Sequence, residues 1–298
     1  MPDCNSKKSK ILPFSVIKEK LDPLVKTLEN LLNREFPENL SSISGLQPFL
    51  LAAFYTAENT YQAIKYIAAD LPKDPSRRLE FGLVISPLGR LLADILFTIV
   101  FMKEDLGSRV IWYHKGGWRE LKEGFERHRS KYAASAEWQE WLKQFEVLLE
   151  FQRKTLGISE KEADNSKKLL PYWPIPGQML KDKNLLSDET EEFLQFLNDW
   201  VYKELSADTH MSAAGIMRRY GFLLLEKEEE RQKFLSTLKS NGIFTSTTLL
   251  VAICTEINDV CRYGREEKLS YLWGILVGFW GEAKDLFERR YKGKLAAI

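Results

Sequence analysis

Residues 86–102 read SPLGRLLADILFTIVFM, and this stretch decides the fold class. From Leu91 to Met102 it is almost wholly apolar and shows no period-two alternation, so it does not read as a half-exposed strand. Its length of roughly 12 residues suits a buried helix and falls short of the roughly 20 that a bilayer span requires. Ser86-Pro87 has the cap-then-proline order that opens helices, so the helix is expected to run from there to about Asp105. Within it Arg90 and Asp94 lie four apart, on one face, among apolar neighbours. Charges set in so apolar a helix need partners, because an unpaired buried ion costs several kcal/mol. The pair therefore reads either as a structural ion pair or as a polar centre for a ligand or a proton.

The same helical period recurs along the chain. Between Phe14 and Phe36 the positions Ile17, Leu21, Leu24, Leu28, Leu31 and Leu32 follow the i, i+3/i+4 rule, and Asp22-Pro23 again offers a cap and a first-turn proline. Gly45–Leu71 carries a second helix. Ser108 opens a segment that the Gly116-Gly117 pair is expected to break in two. Ser135 caps a helix that ends at Gly157, and Ser187, followed by Asp188 and Glu189, caps another. Further helices are expected at about 212–225, 226–240, 244–263 and 265–291, punctuated by Gly221, Gly242 and Gly264. The expectation is an all-α bundle of about ten helices with no sheet, forming one extended helical domain over residues 1–298. A proline-rich ordered crossover at 157–187 interrupts it, and Tyr172, Trp173 and Ile175 are placed to pin that segment into a groove.

Composition narrows the function classes. Forty-three Lys and Arg against 42 Asp and Glu leave a net charge of +1, which supplies no global field for nucleic acid. Cys254 and Cys261, seven apart on a helix, are separated by about 10 Å, too far for a disulfide. With Cys4 they read as thiols of a reducing compartment, the first two as small core residues. The N-terminus MPDCNSKKSKILPFSVIKEK lacks an apolar signal region, so the expected location is the cytoplasm, with no membrane partner. No P-loop, GxGxxG, HExxH, GxSxG or CxxC motif is present, and neither a cofactor nor a metal is expected.

Residues 202–212, YKELSADTHMS, hold one of three histidines. Tyr202, Ser206 and His210 fall one turn apart and form a polar stripe, with Asp208 placed to cap the next helix or to hold the imidazole. A positioned histidine serves as acid or base near neutrality; the plainer reading is a helix-terminal histidine bonded to a carbonyl. Taken in order, Arg90 and Asp94, then Trp173-Pro174, then Tyr202, Ser206 and His210, the chain resembles a bacterial all-helical domain family of unknown function, over about residues 45–225. In that family the acid is commonly Glu. The resemblance implies that Arg90, Asp94, Ser206 and His210 converge, and it suggests a stress or phage-defence setting; it implies no reaction.

Arg109–His114 (RVIWYH) also resembles the Arg-x4–6-His spacing of helical nucleotide-binding ribonucleases from toxin and phage-defence systems, although Val110 stands where a polar residue is usual. Arg119, Lys122, Arg127, Arg129 and Lys131, interleaved with aromatics, read as a solvated amphipathic face or a single-strand-binding one. The leading expectation is a binding or interaction protein with a protein partner or a second copy of itself. The alternative is a metal-independent ribonuclease or hydrolase acting on RNA through His210 or the Arg109/His114 pair.

Overall fold

The computed structural model describes residues 12–69, 75–181, 185–209, 212–213, 215–217, 221 and 224–295. Among them the chain is all-α, with no strand. Their contacts group into two compact units. The first draws on Met1–Glu38, Leu50–Glu104 and Pro176–Ile298; the second draws on Asn39–Phe49 and Asp105–Ile175.

The first unit is built around α4 (Pro75–Lys103) and a 34-residue helix, α12 (Glu228–Cys261), which share its most extensive contact. Both are long and apolar enough to cross a membrane by composition alone. However, 61% and 72% of their apolar windows are buried within the protein, largely by one another and by neighbouring helices. The cause is close approach. A Cβ on Gly242 would lie 2.6 Å from Ile85 Cγ2, and one on Gly89 would lie 3.2 Å from Leu205 Cδ1, so these glycines let neighbouring helices touch. Gly242 therefore sits inside one helix and does not separate two. α1 (Leu12–Arg34) and α13 (Glu266–Phe279) close the core, the one-turn α9 (Pro176–Met179) packs on α4, and all six apolar positions named for α1 are buried. Cys254 and Cys261 are buried thiols of α12; burial pushes the Cys254 thiol up to about 12, consistent with an inert packing role.

Both prolines expected to open helices lie inside them. Pro23 is within α1 and Pro87 within α4. A proline at these positions forfeits one i→i−4 bond, a cost of about 3 kcal/mol that burial of the flanking residues offsets. Asp22 is accordingly no cap: its carboxylate receives Lys65 Nζ at 3.2 Å, from α3 (Leu46–Ala69). The expected single helix over 265–291 is two, α13 and α14 (Gly281–Arg290), which part at the extended Trp280.

The second unit is a hairpin of α5 (Leu106–Tyr132) and α6 (Ala136–Thr155), with α2 (Glu38–Ser41), α7 (Glu160–Asp164) and α8 (Ser166–Leu169) as short attachments. Its core joins Trp118 and Phe125 of α5 to Leu142 and Leu149 of α6, closed by Ile158, Ala163 and Leu170. α5 runs unbroken through Gly116-Gly117. Gly116 is there for contact: a Cβ would meet the backbone of Trp173 and Pro171 at 2.9 and 3.1 Å. That segment is pinned as expected by its aromatics. Trp112 Nε1 donates to Tyr172 O at 2.9 Å, and Trp173 lies edge-on to Trp112 and Tyr113. Ile175 instead points outward, 63% exposed.

Candidate functional site

The helix that carries YKELSADTHMS continues without a break from α10 (Asp188–Leu197) through a π-helical turn (Asn198–Tyr202) into α11 (Lys203–Thr209). A π turn inserts one extra residue and rotates everything beyond it, and such turns recur at functional positions. Here it leaves Val201 buried and brings Tyr202 against α4. Tyr202 Oη accepts from Arg90 Nη2 at 3.0 Å, and the guanidinium carbon sits 5.1 Å from the centre of the tyrosine ring. Phe97 meets the same ring edge-on at 5.6 Å. Arg90 Nε lies 3.8 Å from Asp94 Oδ2, and the tyrosine hydroxyl donates to that carboxylate. Burial raises the Asp94 carboxyl above its ordinary range, although Arg90 and Tyr202 both pull it back.

Arg90, Asp94 and Tyr202 therefore do come together. The Arg90 and Asp94 side chains remain 19% and 36% exposed, so the cluster is open to water. Ser206 Oγ, one turn on, is shielded from solvent and meets no hydrogen-bond partner among the described residues. His210 and the side chain of Asp208 lie outside the described residues.

The Arg109/His114 pair belongs to α5. Five helical residues turn the second side chain about 140° from the first, so the two do not share a face. Arg109 is buried, and His114 Nε2 hydrogen-bonds Gly45 O at 3.0 Å. Gly45 has φ +85°, and a Cβ on it would lie 2.6 Å from that imidazole nitrogen, so the histidine closes a tight turn. Most of the basic strip is likewise committed. Arg119 donates to Leu170 O at 2.6 Å and stacks 3.6 Å over Tyr172; Lys122 donates to Ala163 O at 2.6 Å. Arg129 faces Glu146 at 3.7 Å.

Two features escape the sequence reading. The first is a buried charge centre. Glu256, fully buried in α12, receives Lys103 Nζ at 2.5 Å and Arg290 Nε at 2.7 Å. Arg290 also donates to Thr190 Oγ1 at 3.1 Å, and Glu104 accepts from Ser187 and Thr190 at the start of α10. Burial opposes ionisation of Glu256, but the two cations more than offset it and hold its carboxyl at about 2. The signal available was a lone glutamate at the end of the apolar run LLVAICTEI.

The second is the outer face of α6. Leu142 and Leu149 point into the hairpin, while Trp141, Val147, Leu148 and Phe151 are 36%, 65%, 44% and 67% exposed. Trp141, Gln144, Leu148, Phe151 and Thr155 are spaced 3, 4, 3 and 4 apart, a second helical seam beside the one that α5 covers. Leu148 and Phe151 of this seam, with Val147 on its flank, form an exposed apolar patch, while the Trp141 ring packs against His128 of α5.

No protein family, curated protein or solved structure matches this chain.

Proposed function

We propose that the chain is a non-enzymatic binding protein that engages a protein partner through the outer face of α6. The observation that carries this reading is the set of three large apolar side chains, Val147, Leu148 and Phe151, each more than 40% exposed within two turns of one helix. Contiguous exposed apolar patches rimmed by charge mark interaction surfaces. The Arg90–Asp94–Tyr202 cluster belongs to the first unit and supports binding more than catalysis, because its arginine is already shared between a phenol and a carboxylate. A ribonuclease reading through Arg109 and His114 gains no support from a histidine whose Nε2 is engaged by Gly45.

The test is photocrosslinking in extract of the chain's own source cells, with p-benzoylphenylalanine in place of Phe151. The same group in place of Glu146, which is 66% exposed on the far side of the helix, serves as control. An adduct from position 151 and none from 146 is the expected result. Equal labelling, or none from either position, removes the α6 face from consideration.

A further inference from the structure

The α6 face is complementary to itself, and we propose that its occupant is a second copy of this chain, bound antiparallel across a two-fold axis. This inference rests on the binding reading above and names the partner. Charge sets the orientation. Along the edge of the exposed seam, Glu140, Val147 and Lys154 recur at intervals of seven, and so share one flank of the helix. In an antiparallel pair centred near Val147, that flank faces its own copy. Glu140 then meets the partner's Lys154, Lys154 meets the partner's Glu140, and the two Val147 side chains pack together. In the seam Trp141 falls opposite the partner's Phe151 and Gln144 opposite the partner's Leu148, while Thr155 at its end falls opposite the partner's Glu137.

This is the isologous pattern of a two-fold contact, in which each residue's partner is supplied by the same patch on the other copy. A parallel pair would instead set Glu140 on Glu140 and Lys154 on Lys154, with repulsion at both ends. The side chains needed are available. Lys154 is 70% exposed and, among the described residues, holds Glu150 of its own helix at 3.3 Å. Among the described residues Glu140 accepts one bond, from Gln144 at 2.8 Å, and keeps acceptor capacity. The 20-residue helix is about 30 Å long, just under three heptads.

The experiment is sedimentation equilibrium of the full chain over a concentration series reaching about 200 μM, where contacts of modest area associate. Wild type is expected to be a monomer–dimer mixture. Phe151→Asp places two carboxylates in the seam and is expected to be monomeric; the residue is largely exposed, so the fold is not at risk, and circular dichroism checks it. The register is tested by charge exchange. Glu140→Lys alone and Lys154→Glu alone each create two like-charge contacts and weaken the dimer by about tenfold or more. An equimolar mixture of these two variants restores wild-type affinity, because each lysine again faces a glutamate across the axis. A dimer indifferent to the charge variants lies elsewhere or in another register, and the proposal is then wrong. A wild type that stays monomeric throughout also overturns it. In that case the crosslink from position 151 decides the wider reading: an adduct with a different protein leaves the α6 face a binding site with another occupant, and no adduct removes both.

Discussion

Gly116 and Gly117 are adjacent in one helix, and the geometry around them predicts opposite responses to the same substitution. A Cβ on Gly117 meets nothing within 4 Å. Gly117→Ala therefore gains only what alanine contributes to a helix interior, about 0.5–1 kcal/mol. A Cβ on Gly116 arrives 2.9 Å from Trp173 N and 3.1 Å from Pro171 O, both backbone atoms that cannot rotate aside. The 171–173 segment would have to retreat by several tenths of an ångström. It is held by Trp112 Nε1 on Tyr172 O at 2.9 Å, by Arg119 on Leu170 O at 2.6 Å, and by two edge-on ring contacts of Trp173. Overpacking of this kind costs about 1–3 kcal/mol, and loosening one of those hydrogen bonds adds about 1. After the same helix-propensity gain is credited, Gly116→Ala is left destabilised by about 1–3 kcal/mol. The two variants should then differ by about 2–4 kcal/mol in urea denaturation followed by circular dichroism. Amide exchange at 172–175 should quicken in Gly116→Ala alone. If both alanines shift stability in the same direction, the segment is not seated against α5, and this account of the glycine pair is wrong.

Three further expectations concern the charge clusters and the tight turn. Glu256→Gln leaves Arg290 and Lys103 without their buried anion and should cost about 3–5 kcal/mol. Because the native carboxyl is held near 2 against 4.5 when free, its contribution is present above pH 4.5 and is lost as pH falls toward 2. The gap between wild type and variant should close over that window, and a gap that does not change with pH would contradict the assignment. Asp94 should titrate above its ordinary 3.8 by carboxyl NMR, and Tyr202→Phe should raise it further by removing a hydrogen bond that favours the anion; a downward shift would show that Tyr202 does not donate to it. His114→Ala removes the bond to Gly45 O and should cost about 1 kcal/mol, measurable by urea denaturation, whereas a neutral result would free the histidine for another role.

Much of the fold was legible because apolar periodicity is a local signal. Ile17 through Leu32 repeat on one face, and the structure buries that face. Ser187 was readable for the same reason, since its hydroxyl accepts from Thr190 N only three residues on. What could not be read was the purpose of the helix breakers. Pro23, Pro87, Gly116 and Gly242 look like punctuation in a local window, yet all four lie inside helices. For Gly116 and Gly242 the reason is a partner distant in sequence, the 171–173 backbone and Ile85. The π turn was equally hidden, because nothing in NDWVY departs from ordinary helix. The α5–α6 hairpin was legible at one end only, since the proline-rich stretch 171–177 marks Ile175 but no linker of changed composition marks Asp105.

Glu256 and Asp94 both meet arginines in the first unit yet are shifted in opposite directions, and the sign separates their work. Glu256 is fully buried, yet two cations at hydrogen-bond distance hold it ionised, so its charge stabilises the fold at neutral pH. Asp94 is better exposed, but its nearest cation stands at 3.8 Å, and burial prevails over attraction. A carboxyl with a raised folded pKa is most favourable to stability when protonated, so keeping Asp94 ionised at neutral pH costs the protein free energy. Stability therefore accounts for Glu256 and does not account for Asp94. An added donor brought against Asp94 would offset that cost and lower its titration midpoint. The Asp94 resonance is thus a probe for any ligand of this cluster, independent of what α6 binds.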